Sequence, residues 1–219
     1  MALDFNGALE DITILGGSFT PPTVGSVSFW ATPDDVTSQQ RILGFVDAWE
    51  IKIRGTSKWS NDLFANLTGI LESVTSAVVG QLTHVVMTWN FSTNLLQIFL
   101  DGALDASNSN ANDDPGSGTL LLAHRTGSPV GEHYDGDLED IRIYNRELSL
   151  AEVQTIFAVR GVDGIVDGLL HRWLLNEQAP DVGASGAGVI KDLTGARNGT
   201  PNSIPDYSIS NLRFRRRVA

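Results

Sequence analysis

The chain contains no cysteine among its 219 residues, so neither disulfides nor thiolate metal centres can hold it together. That absence suits a protein assembled in a bacterial or phage-infected cytoplasm and is compatible with secretion. No uninterrupted apolar run approaches the roughly 18 residues of a membrane-spanning helix, so no membrane insertion is expected. Met1 to Leu9 has neither a basic region nor an apolar stretch, and no signal peptide is expected. Basic residues are scarce: 15 Lys and Arg face 26 Asp and Glu, a formal net charge of −11. Such a body repels phosphate backbones, which argues against nucleic acid as a partner. Arg213, Arg215, Arg216 and Arg217 break that trend. They read as a basic tail docking on an acidic surface rather than as a nucleic-acid arm.

What is present is a folded composition, 42% apolar and 19% charged, punctuated by 22 glycines. Its dominant pattern has period two. Val27, Phe29 and Ala31 share one face, as do Val85, Met87 and Trp89, and then Leu96, Ile98 and Leu100. Such alternation marks half-buried antiparallel strands. Asn90 to Asn94 reads as a hairpin loop, Asp101-Gly102 as a tight hairpin turn, and Asn108 to Gly118 as a polar loop. Leu120 to Ala123 and Asp140 to Tyr144 supply two further strands. One helix is expected: Ser149 and Glu152 make a capping box, Val153, Ile156 and Phe157 form its apolar stripe, and Gly161 ends it. Many short strands with one short helix predict an all-β sandwich.

The order of these segments resembles the laminin G-like jelly-roll of the concanavalin A-like lectin/glucanase superfamily. The matching stretches are Leu3-Asp4-Phe5-Asn6-Gly7, Ser26 to Asp34, His84 to Trp89, Gln97 to Gly102, and Tyr134 through Asp140 to Ser149. The resemblance implies a two-sheet antiparallel jelly-roll with one short helix over residues 1–158. The remainder, 159–219, is similar to the opening of the same family, through His171 to Glu177, Asp192 to Gly195 and Asn198 to Thr200. Three arrangements would explain an opening placed last. The segment completes its own sheet, completes a neighbouring subunit's sheet, or begins a truncated second domain. The first two are favoured, because a lone strand cannot bury its apolar face.

The superfamily also contains glycoside hydrolases that carry two carboxylates on one strand. Asp135, Asp137 and Glu139 alternate suitably, but the resemblance places them at the entry to a structural strand, so no enzyme is expected. Related jelly-rolls often hold a structural calcium at a late-strand carboxylate. The resemblance carries that role to Glu139, where the family tends to have Asp, and to Asp140. Hard oxygen ligands suit that ion. The four histidines, His84, His124, His133 and His171, show no ligand spacing, and no nucleophile elbow, phosphate loop or His-Glu-x-x-His motif occurs. Sugar-binding jelly-rolls stack their ligands on aromatic platforms; Trp59, in a polar stretch, and Trp49 are the candidates, with packing over a loop as the alternative. Together these readings predict a non-enzymatic binding or structural module. Its expected setting is a virion surface, as a decoration or fibre-like protein with possible glycan adhesion, with a secreted bacterial adhesin as the alternative. Self-association through the C-terminal segment is expected.

Overall fold

The computed structural model describes residues 2–45, 49–63, 69–109, 116–124, 132–160, 162–179 and 182–208. In chain order the strands are β1 (Ala2–Asn6), β2 (Asp11–Ile14), β3 (Val24–Pro33), β4 (Gln40–Phe45), β5 (Trp49–Ile53), β6 (Lys58–Leu63), β7 (Gly69–Ser76) and β8 (Thr83–Asn90). They continue as β9 (Leu95–Leu100), β10 (Ala103–Asn108), β11 (Leu121–Leu122) and β12 (Asp135–Tyr144). After the helix α1 (Leu150–Val159) come β13 (Leu169–Trp173), β14 (Gly199–Asn202) and β15 (Asp206–Ser208).

The strands form two antiparallel sheets, ordered β10-β9-β8-β3-β12-β1-β15, with β13 also on β12, and β14-β2-β11-β4-β5-β6-β7. The predicted parities hold. Val27, Phe29, Ala31, Val85, Met87, Trp89, Leu96 and Ile98 all point into the one large core between the sheets. Hydrogen-bonded ladders leave only side chains to join the sheets, so this interleaved apolar layer, about 10 Å thick, holds the sandwich together. Asp101 and Gly102 take φ of 49° and 85°, the left-handed pair that a two-residue hairpin between β9 and β10 demands. Gly25 is equally constrained: a Cβ there would meet the Trp89 ring at 2.4 Å.

Helix α1 starts where expected. The Ser149 hydroxyl accepts the Glu152 N–H, and the Glu152 carboxylate accepts the Ser149 N–H at 2.9 Å. Val153 and Ile156 pack with Leu148 onto Val86, Phe99 and Tyr144 of the first sheet. The C-cap is Arg160 in a left-handed conformation; Gly161, expected to end the helix, lies outside the described residues. So do Arg213, Arg215, Arg216 and Arg217.

The C-terminal segment finds its described partners within the chain. β13 lies along β12 with Trp173 opposite Ile141, β14 along β2, and β15 along β1 with Tyr207 opposite Leu3. β1 and β13 therefore share one edge of β12, end to end, so the displaced opening returns to the body. A buried ion network secures this return. Arg142 Nε and Nη2 donate to the Asp140 carboxylate, at 3.1 and 2.6 Å, and its Nη1 and Nη2 donate to Asp163, each at 2.9 Å. Arg172 of β13 adds two bonds to Asp140, at 2.7 and 3.1 Å.

Candidate functional site

The outward faces of the two sheets differ. The first is apolar beneath α1. The second is charged, by the same parity rule that builds the core. In β5, Trp49, Ile51 and Ile53 turn inward, so Glu50 and Lys52 turn outward. In β6, Trp59 and Leu63 turn inward, so Ser60 and Asp62 turn outward. Arg41 on β4 and Glu72 on β7 extend the row. Arg41 Nε lies 3.3 Å from Glu50, and Lys52 Nζ lies 3.0 Å from Glu50 and 2.6 Å from Asp62. Arg54, just past β5, lies 2.6 Å from Asp62 and 3.0 Å from Glu72. At the other end, Arg41 pairs with Glu132, which also accepts from Gln39 at 3.0 Å. The Glu50 and Asp62 side chains are fully buried, whereas Arg54, Glu132 and Glu72 are 23, 22 and 39% exposed. Burying ions costs several kcal/mol each unless they are paired and hydrogen-bonded, as these are. The buried members hold the solvent-reaching ones in fixed positions.

The expected aromatic platform is corrected. Trp49 and Trp59 are both fully buried. Trp49 lies 6.1 Å from Phe19 and 5.3 Å from Trp89, and its N–H donates to Asn61 at 3.2 Å; Trp59 meets Phe29 edge-on at 6.1 Å. Neither indole offers a face to a sugar. Trp49 shares its parity with Ile51 and Ile53, and that pattern marks it as core.

The carboxylates proposed for calcium serve other contacts. Glu139 is buried opposite Trp30 in β3. Both oxygens of Asp140 accept from Arg142 and Arg172, so a cation there would have to displace two guanidinium groups. Asp137 stands directly across from Asp4, which also faces Asp206. Burial, then the charges of Asp137 and Asp34, push the Asp4 carboxyl up to about 6. Burial likewise raises Asp137 and Asp135.

His84 is built into the first sheet: it is buried, lies 3.0 Å from the Ser28 hydroxyl and packs at a tilt 4.7 Å from Trp30. Burial and then the Arg142 charge push it down to about 3. His171 pairs with Asp192 at 2.8 Å and stacks on Trp173. His124 and His133, which show no ligand spacing in the sequence, come together in the fold. Their rings stack 3.6 Å apart at 7°, beside Asp11 of β2. No local spacing betrays this group, because three separate segments assemble it. An open depression of about 580 Å³ lies elsewhere, between Glu177, Val182, Val189 and Lys191. There Glu177 accepts from the Lys191 N–H and the Tyr207 hydroxyl, which ties the C-terminal segment to itself.

Two antiparallel sheets packed face to face, with one short helix on the first, define a jelly-roll sandwich. A model of the Concanavalin A-like lectin/glucanases superfamily, Laminin_G_3, matches residues 6–154, and the chain belongs to that family. No curated protein matches the chain. Among solved structures, it is similar to a provisionally assigned carbohydrate binding protein from Bacteroides ovatus, with a TM-score of 0.70 and 16% identity. That likeness covers 93% of this chain and 60% of the other, so the chain spans well under the full length of that relative. A heptameric SAP-like pentraxin from Limulus polyphemus aligns with a TM-score of 0.60 and 14% identity, over 77% of this chain and 90% of its own. The CBM40 module of a Ruminococcus gnavus sialidase, bound to α2,3-sialyllactose, aligns with a TM-score of 0.52 and 17% identity, over 63% and 84%. No described helix is long and apolar enough to cross a membrane.

Proposed function

We propose that this chain is a non-enzymatic carbohydrate-binding module whose ligand docks on the charged face of the seven-stranded sheet. The observation that carries this reading is the paired row Arg41–Glu50–Lys52–Asp62–Arg54, held rigid by burial and reaching solvent at Arg54, Glu72 and Glu132. Arg54 offers a donor, and Glu72 and Glu132 offer acceptors, to the hydroxyls of a sugar, and the buried pairs beneath them preorganise these groups, which lowers the entropic cost of binding. The family and the carbohydrate-binding proteins among its structural neighbours support the same reading. The module belongs on the exterior of a larger assembly, with a virion decoration as the leading setting and a secreted adhesin as the alternative. The lack of cysteine supports the first.

The test is a glycan array probed with the full chain, followed by titration of any retained glycan against Arg54→Ala. Retention of a defined glycan class, weakened about tenfold or more by Arg54→Ala, supports the assignment; loss of one charge-assisted hydrogen bond is worth about that much. No retention, or retention indifferent to Arg54, overturns it. A glycoside hydrolase is the second reading, because Glu50 and Asp62 face each other across β5 and β6 on this same face. Lys52 lies between and bonds both. Turnover of an array-positive glycan, abolished by Glu50→Gln, would favour that reading instead.

A further inference from the structure

We propose that Asp11, His124 and His133 form a site for one divalent transition-metal ion of the zinc class, with its fourth position left to water or an oxygen ligand. This inference is independent of the sugar reading.

Three segments converge to make the site. Asp11 opens β2, whose neighbour β11 pairs Leu122 with Ile12 and is followed directly by Ala123 and His124. His133 enters beside β4 through a bridge to Arg41, and the Tyr134 N–H bonds the Ala123 carbonyl at 2.8 Å. One ligand atom from each of the three residues lies within 4.8 Å of the others. His124 Nδ1 and His133 Nε2 are each 3.8 Å from the same oxygen, Asp11 Oδ2. That separation is too long for a hydrogen bond. It is only a few tenths of an ångström beyond the roughly 3.4 Å that separates two ligands on a tetrahedral ion with bonds of about 2.0–2.1 Å.

The surroundings have the chemistry that such an ion needs. The other Asp11 oxygen accepts from the Asn202 amide, which also reaches Thr13 at 2.9 Å. This outer contact turns Oδ2 towards the imidazoles, as partners of metal-ligating carboxylates do. Burial, against the pull of Asp11, lowers the His133 basicity. His133 Nδ1 is buried with no hydrogen-bond partner among the described residues, so stacking on His124 rather than a hydrogen bond at that nitrogen places the ring. The two parallel rings cannot both aim at one ion while stacked. Binding requires one ring to rotate out of the stack, and His124, the more exposed at 13% against 6%, is the freer to turn.

The experiment uses the untagged full chain, stripped with chelator and titrated with Co²⁺ and Zn²⁺. One equivalent of Co²⁺ is expected to bind with the intense visible bands of four- or five-coordinate cobalt and to be displaced by Zn²⁺. Zn²⁺ should raise Tm, since a ligand that binds only the folded state stabilises it. His124→Gln and Asp11→Asn should each weaken binding by about tenfold or more. Circular dichroism confirms that the variants fold, and the less buried His124 position serves if an Asp11 variant does not. Binding below one equivalent, displacement by Ca²⁺ as readily as by Zn²⁺, or affinity unchanged in His124→Gln overturns the proposal.

Discussion

Replacing Arg142 with methionine tests the idea that the C-terminal return is secured by buried charge. Methionine keeps the apolar stem of the side chain and removes four charge-assisted bonds, two to Asp140 and two to Asp163. Asp140 retains Arg172. Asp163, with a fully buried side chain, retains the Ile165 N–H at 2.8 Å. Deleting one partner of a buried pair strands the other charge, which costs about 3–5 kcal/mol. At about 2–4 °C per kcal/mol for a chain of this size, Tm should fall by about 6–20 °C. Differential scanning calorimetry at pH 7 reads that drop. Adding Asp163→Asn to Arg142→Met should recover part of it, because the stranded charge is gone. The pH dependence follows from Asp163. Burial opposes its ionisation, but the Arg142 hydrogen bonds outweigh that and hold its carboxyl below the usual range. A carboxyl lowered in the folded state stabilises above its unfolded value of about 3.9, and that contribution is lost as pH falls through the folded value. The gap between wild type and Arg142→Met should therefore be widest near neutrality and narrow below about pH 4. A loss under about 1 kcal/mol, or a double variant weaker than the single, would refute the reasoning.

Two other substitutions probe the buried indole of Trp59 and the facing acids of the first sheet. Trp59→Ala should cost about 3–5 kcal/mol in a urea titration through the cavity it opens, while the folded fraction keeps its glycan affinity. A selective loss of affinity would return Trp59 to the binding surface. Asp4→Asn addresses the facing acids. A carboxyl raised to about 6 favours the protonated folded state, so wild-type stability should fall as pH climbs from about 4 through 6. The variant lacks that penalty and should gain on wild type between pH 4 and 7.5 in paired urea titrations; a difference independent of pH would count against the account.

Much of the fold was legible because the side-chain period of a strand is fixed. Val85, Met87 and Trp89 could only share a face, Asp101-Gly102 could adopt the left-handed pair, and Ser149 and Glu152 could close a capping box. The site was less legible. Trp59 followed polar neighbours, Ser57 and Lys58, and their polarity suggested exposure, whereas strand parity with Leu63 turned it inward. Glu50, Lys52 and Asp62 were ordinary solvated charges in one dimension. They became a row only when β4, β5, β6 and β7 aligned, since cross-strand register is a long-range property. Asp11, His124 and His133 escaped notice for the same reason. Whether the last segment paired within the chain was also invisible locally, because β13 reads identically whichever copy of β12 it joins.

Ala2 sits directly across from Ser208 on neighbouring strands. The way in and the way out of the described fold are thus about one interstrand spacing apart, roughly 5 Å. A loop of some larger host protein could open by that small gap and receive the whole unit without being stretched, much as a cassette drops into a slot.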